Sequence, residues 1–149
     1  MTDYGEVFEV WFDGANGGDG WYGGAKENRT IDRKNYYNYP EIYKMLSELQ
    51  PQAIIFSDGG PGCRWVGNEK GFAGATNWSF LRTGEVFPGY EKYRTLQYGH
   101  ADGDQWVAAE CDVSIRPGWF YHPEEDNQVK NVDQLTDLYY RSVGHNATL

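Results

Sequence analysis

The chain has 149 residues, a formal charge of -9 at pH 7, 19 glycines and an aromatic content of 17% that includes six Trp and twelve Tyr. That length fits one domain, and the deficit of Lys and Arg excludes a nucleic-acid partner, because phosphate binding needs a cationic surplus. A neutral ligand fits better, and no apolar run approaches the roughly 18 residues of a membrane span, so no membrane partner is expected.

Taken in chain order, EVFEVWF at residues 6–12 mixes β-branched and aromatic residues in a low-polarity run and predicts a strand buried on both faces. Period two places Val7, Glu9, Trp11 and Asp13 on one side of it. The Gly-rich tract at 14–24, interrupted by Trp21 and Tyr22, shows no periodicity and reads as a loop. Pro40 then opens PEIYKMLSELQP, where Ile42, Met45, Leu46 and Leu49 recur at helical spacing until Pro51. Residues 53–57, AIIFS, predict a second short buried strand followed by another acid, Asp58.

Strand, helix, strand implies a parallel pair, and the right-handed crossover puts both C-terminal strand ends on one side, so Asp13 and Asp58 share an edge. Residues 59–109 carry only weak strand or helix signals, yet they are too long and aromatic for a mere connector. Long loops at strand ends carry function. Residues 112–115, DVSI, predict a short strand closed by Pro117 and Gly118. Asn131 caps a final helix with Val132, Leu135, Leu138, Tyr139 and Val143 at helical spacing, and Gly144 ends it. The last residues, NATL, read as one more strand starting. The fold class is α/β, either an open sheet or a partial (β/α)8 barrel; a whole barrel takes about 250 residues, so this chain would supply about half of one.

Three acids are candidates for chemistry. Asp13 sits at a strand end behind Trp11, a nucleophile-like position, but Asp before Gly also caps loops through an Asx-turn. Glu69, in GPGCRWVGNEKGFAG, lies between glycines and near Arg64 and Trp65; it is either an exposed loop glutamate or an acid brought close to a ligand. Glu110, flanked by Trp106 and Trp119, reads as a partner of Arg116 or as a ligand contact. Paired carboxylates with tryptophans at a sheet edge are what glycoside hydrolysis needs, one to attack the anomeric carbon and one to protonate the leaving oxygen. Cys63 and Cys111 lack zinc-site spacing and read as two unrelated thiols, with a disulfide left open. Asp102 and Asp104 hint at calcium but lack a full ligand set.

EVWFDGANG, SDGGPGCRWVGNEKG and AECDVSIRPGWFYH together, in this order, resemble the α-L-fucosidases of glycoside hydrolase family 29, in the subfamily preferring α-1,3- and α-1,4-linked fucose. The resemblance spans essentially the whole chain and implies the central-to-C-terminal part of a catalytic (β/α)8 barrel. It implies Asp13 as nucleophile and Glu69 as general acid/base of a retaining mechanism, with carboxyl groups about 5–5.5 Å apart. Trp119 would wall the fucose methyl group, with Trp11, Arg64, Trp65, Glu110 and His122 as further substrate contacts. The tract at 89–106 would form an aglycone-side loop. No cofactor or metal is implied, and the partner is a fucosylated oligosaccharide or glycoconjugate. The resemblance also implies a secreted or periplasmic location, and a chain too incomplete to be active alone. A non-catalytic carbohydrate-binding remnant and a glycosidase of other specificity are the competing readings.

Overall fold

The computed structural model describes residues 2–13 and 18–149. In chain order it places β1 (Glu9–Trp11), β2 (Gly20–Tyr22), β3 (Glu27–Arg29), α1 (Tyr39–Leu49), β4 (Ile54–Ser57), β5 (Cys63–Trp65), β6 (Phe80–Leu81), β7 (Gln105–Trp106), β8 (Ala108–Glu110), α2 (Val132–Ser142) and β9 (Ala147–Thr148). The main sheet has the order β1-β4-β5-β8-β9, and every pairing in it is parallel. β2 with β3 and β6 with β7 form two small antiparallel pairs.

The predicted crossover is present. Helix α1 starts at Tyr39 and Pro40, buries Tyr39 and Leu46, and delivers the chain into β4 beside β1, with Trp11 in register with Phe56. Its end is tied to the chain before β1 by the buried side chain of Gln50, which accepts from the Val7 amide at 3.0 Å and donates to the Gly5 carbonyl at 3.1 Å. Helix α2 begins with a reciprocal capping box: Asn131 accepts from the Gln134 amide, and the Gln134 side chain accepts from the Asn131 amide, each at 2.9 Å. The chain then returns through β9, the strand that NATL predicted, which pairs with β8.

Parallel neighbours ordinarily need a crossover of a dozen or more residues. Residues 58–62 alone connect β4 to β5. The chain doubles back there on glycine: the Gly62 amide donates to the Ile55 carbonyl at 2.9 Å, and a Cβ on Gly62 would stand 2.7 Å from the Ile55 nitrogen. Ser57 pins the same turn, accepting from the Gly59 amide at 3.2 Å and donating to the Gly60 carbonyl at 2.6 Å.

Three predicted segments are corrected. β1 is shorter than residues 6–12 and is not buried on both faces: it has one strand neighbour among the described residues, and Phe8 is 80% exposed. Residues 20–22 are a strand, not loop, because an antiparallel pairing closed by the Tyr22–Ala25 turn needs no long periodic run. Residues 112–115 are not a strand; the Ser114 hydroxyl bonds the Gly118 carbonyl at 2.5 Å and the Arg116 amide at 3.1 Å, curling that segment into a turn. The strand lies just before it, in β8, where Ala109 packs with Val66, Ala73 and Cys111 in one buried cluster. Cys63 and Cys111 are both buried free thiols.

Candidate functional site

A parallel sheet puts the loops after its strands on one rim, and the acids gather there. Asp13 follows β1, Asp58 follows β4, Glu69 follows β5 and Asp112 follows β8, and all four line one cavity of about 890 Å³. That volume lies within the usual range of ligand sites, about 300–1,000 Å³. The walls are mainly aromatic, from Trp11, Phe12, Phe56, Trp65, Tyr90, Tyr93, Trp119 and Phe120. Predicted edge-sharing by Asp13 and Asp58 is thus observed.

Each wall is held by identifiable contacts. Trp11 stacks on Phe56, with ring centroids 4.1 Å apart and planes at 8°. Trp65 stacks on Tyr93 at 5.7 Å, while its indole N–H donates to the Asp112 carboxylate at 2.7 Å. The Trp119 indole N–H reaches the Glu69 carboxylate at 3.4 Å. Gly67, two residues before Glu69, has φ +77, and a Cβ there would collide with the Tyr93 carbonyl, so glycine lets this loop close against the Tyr93 segment. At the rim, Arg33 approaches Glu91 at 3.6 Å.

Two of the acids are electrostatically unusual. Burial pushes the Asp58 carboxyl above its ordinary value; the Gly89 amide, donating at 2.7 Å, works against that, and the nearby Asp13 charge adds to it. Burial likewise raises Asp112, opposed by the Trp65 hydrogen bond and reinforced by Glu69 and Glu110. A carboxyl raised in the folded state binds its proton more tightly there than in the unfolded chain, so its ionisation costs stability as pH rises. Wild-type stability is therefore expected to fall relative to Asp58→Asn as pH climbs from the ordinary value of 3.8 through the raised one, then to level off. Paired urea titrations across that window check it; a difference that stays constant or grows in favour of wild type contradicts it.

Of the residues singled out from sequence, Trp11, Asp13, Trp65, Glu69 and Trp119 line the cavity, and Arg64, Glu110 and His122 are not among its lining residues. Arg64 is fully buried and turned into the protein, donating to the carbonyls of Leu96 at 3.0 Å, Val107 at 2.5 Å and Trp78 at 2.9 Å and to the Asn77 side chain at 2.6 Å. With its donors engaged this way it has no route to a ligand. Glu110 does not pair with Arg116, which binds Asp126 at 2.8 Å; it accepts instead from Trp11, Cys63 and Thr148. His122 is exposed beside Glu124, at 3.9 Å.

Asp112, Arg33, Tyr90, Glu91, Tyr93 and Phe120 were not singled out as site residues, and Asp58 was placed on the rim without a role. The usable signal was the acid just past a strand end: it found Asp13 and Asp58, and with β8 correctly placed it would have found Asp112. Among the described residues one cluster has the composition of a metal site, Glu9, Cys63 and Glu110, whose ligand atoms all lie within 4.8 Å of one another. Its groups bond one another, Cys63 reaching Glu110 at 3.4 Å and Glu9 at 3.8 Å, and burial pushes the thiol up, away from the thiolate a metal prefers. Asp102 and Asp104 are likewise engaged by protein, Asp102 with Arg82 at 2.8 Å and Asp104 with the Thr83 amide at 3.0 Å.

A ring of carboxylates over aromatic faces is suited to a polyhydroxylated ligand, whose hydroxyls donate to the acids while its C–H faces lie on the rings. No family model matches the chain. It is 46% identical over 151 aligned residues to Alpha-L-fucosidase 1 of Arabidopsis thaliana, covering 98% of this chain and 26% of that protein. A glycoside hydrolase family 29 structure from an unknown rumen bacterium superposes with a TM-score of 0.83 at 56% identity, over 99% of this chain and 26% of that one. A Ruminococcus gnavus family 29 fucosidase solved with fucose matches at 30% identity and a TM-score of 0.68, over 97% of this chain and 28% of that one. The chain thus spans about a quarter of the proteins it matches, and its α/β parallel sheet corresponds to part of a family 29 catalytic domain.

Proposed function

We propose that the chain contributes the catalytic carboxylates of a retaining exo-α-L-fucosidase that releases terminal α-1,3- or α-1,4-linked fucose from glycans. The observation that carries this reading is the meeting of Asp13 and Glu69, from loops after different strands, in one aromatic-walled cavity. Asp13 attacks the anomeric carbon to give a covalent fucosyl-enzyme, and Glu69 protonates the departing aglycone oxygen. Glu69 then takes a proton from water, which attacks the same carbon and frees Asp13 with the fucose released in its original anomeric configuration. The Trp119 N–H at the Glu69 carboxylate orients the acid, and the Trp119 ring offers an apolar wall for the fucose methyl group. Tyr90, Glu91 and Tyr93, from the tract read as an aglycone-side loop, line the same cavity, which supports that placement. The linkage preference rests on the RWVGNE motif around Glu69.

Because the chain spans a quarter of the rumen-bacterium structure, the test places residues 1–149 in the matching quarter of that protein, giving a completed barrel. The completed barrel is expected to hydrolyse an aryl α-L-fucoside with retention of configuration, followed by NMR of the first-formed sugar. The 149-residue chain alone is expected to show no turnover, since its sheet leaves strand edges open. Sugar binding without hydrolysis by the completed barrel favours a carbohydrate-binding remnant, and turnover of a different glycoside favours another specificity.

A further inference from the structure

Glu110 is the one sequence-predicted contact that misses the cavity and still touches its wall. It lies in β8, and its carboxylate gathers three donors: the Trp11 indole N–H at 3.1 Å on one oxygen, with the Cys63 thiol and the Thr148 hydroxyl, each at 3.4 Å, on the other. These come from β1, β5 and β9, so the Trp11 indole and the Glu110 carboxylate meet across the intervening strands β4 and β5. Burial raises the thiol, which keeps Cys63 protonated and able to donate.

The tether matters because of what Trp11 does. One face of its ring is laid on Phe56, the side chain remains 44% exposed, and it lines the cavity two residues before Asp13. Stacking sets the tilt of a ring against its neighbour but leaves it free to slide and to turn within its own plane. A hydrogen bond from the indole N–H to a fixed carboxylate removes that freedom, and bonds to charged acceptors are the stronger kind. Supporting groups of this sort hold a site residue to the narrow geometry that recognition needs.

We infer that Glu110 is a positioning residue: through the Trp11 indole N–H it fixes the ring that forms the cavity wall two residues before Asp13. What that wall receives, a fucose ring, rests on the functional reading above. Glu110 itself touches no ligand in this account, so its effect passes entirely through Trp11.

The test is the indole N–H spectrum of the full chain labelled with nitrogen-15, in which the six Trp give six signals and Trp11→Phe identifies the one belonging to Trp11. In Glu110→Ala that signal is expected to move upfield and its proton to exchange with solvent about tenfold faster, the range a charged hydrogen bond protects. Glu110→Gln keeps an acceptor and is expected to restore both, with the other five signals unmoved in either variant. With L-fucose as the probe and the completed barrel as the protein, wild type and Glu110→Gln are expected to respond at Trp11 at similar concentrations and Glu110→Ala only at several-fold higher ones. A Trp11 signal indifferent to Glu110→Ala, failure of Glu110→Gln to rescue, or collapse of all the indole signals together overturns the inference. If fucose leaves the wild-type completed barrel unmoved, the fucosidase reading fails, while the dependence of the Trp11 signal on Glu110 still decides the positioning.

Discussion

Asp13→Ala in the completed barrel is expected to lower kcat on an aryl α-L-fucoside by on the order of 10⁴-fold, because without the carboxylate no covalent intermediate forms. Azide, entering the space the carboxylate leaves, is expected to restore turnover and to yield β-fucosyl azide: the azide–carbon bond forms on the face Asp13 attacked as the aryloxide departs. Glu69→Ala is expected to behave differently. Its loss grows as the leaving group becomes more basic, since a fluoride or nitrophenolate needs little help from an acid and a sugar alcohol needs a great deal. If the two variants respond alike to azide and to leaving group, the assignment of roles is wrong. In the structure Glu69 accepts from the Trp119 indole N–H at 3.4 Å, while Asp13 stands exposed just past the end of β1.

The largest expected effect on stability belongs to a residue outside the chemistry. Arg64→Ala would strand the carbonyls of Leu96, Val107 and Trp78 and the Asn77 side chain without their buried donor. Burial lowers this guanidinium to about 10, so it is still a cation at neutral pH, and its protons are shared among backbone groups of the loops on either side of it. Leaving several buried acceptors unmet costs about 1–3 kcal/mol each, and a total loss of roughly 3–5 kcal/mol is expected after partial relaxation. Arg64→Lys is expected to recover little, because an ammonium cannot reproduce the planar fork. Urea midpoints of the three proteins measure this. A loss for Arg64→Ala under about 1 kcal/mol would mean that water replaces the guanidinium easily.

Arg64 also shows where sequence reading fails. An arginine between a cysteine and a tryptophan carries no mark of burial, so CRW was not read as a strand, although it is a central one and Arg64 is fully buried in it. AAE in β8 failed for the opposite reason: small residues give no β signal, yet Ala109 is fully buried in the core there. Missing β8 moved the predicted strand to 112–115 and turned Asp112 from an acid after a strand into one at its start. Helices α1 and α2 were legible because their signals are local, a proline start in one and an Asn131 cap in the other. Asp13 was legible as a strand-end acid but ambiguous between loop cap and nucleophile, and only its company in the cavity narrows that choice. Glu110 was read as a ligand contact because it is an acid near tryptophans. The contact that matters, with Trp11, joins residues 99 positions apart.

The central claim is that Asp13 bonds to the sugar. The most direct measurement is mass spectrometry of the completed barrel after reaction with a 2-deoxy-2-fluoro-α-L-fucosyl fluoride, whose fluorine slows hydrolysis of the intermediate so that it accumulates. A fluorofucosyl adduct is expected on the peptide containing Asp13, located to that carboxylate by fragmentation and absent in Asp13→Ala. An adduct on Asp58, Glu69 or Asp112, or complete turnover with inversion and no adduct, would contradict it.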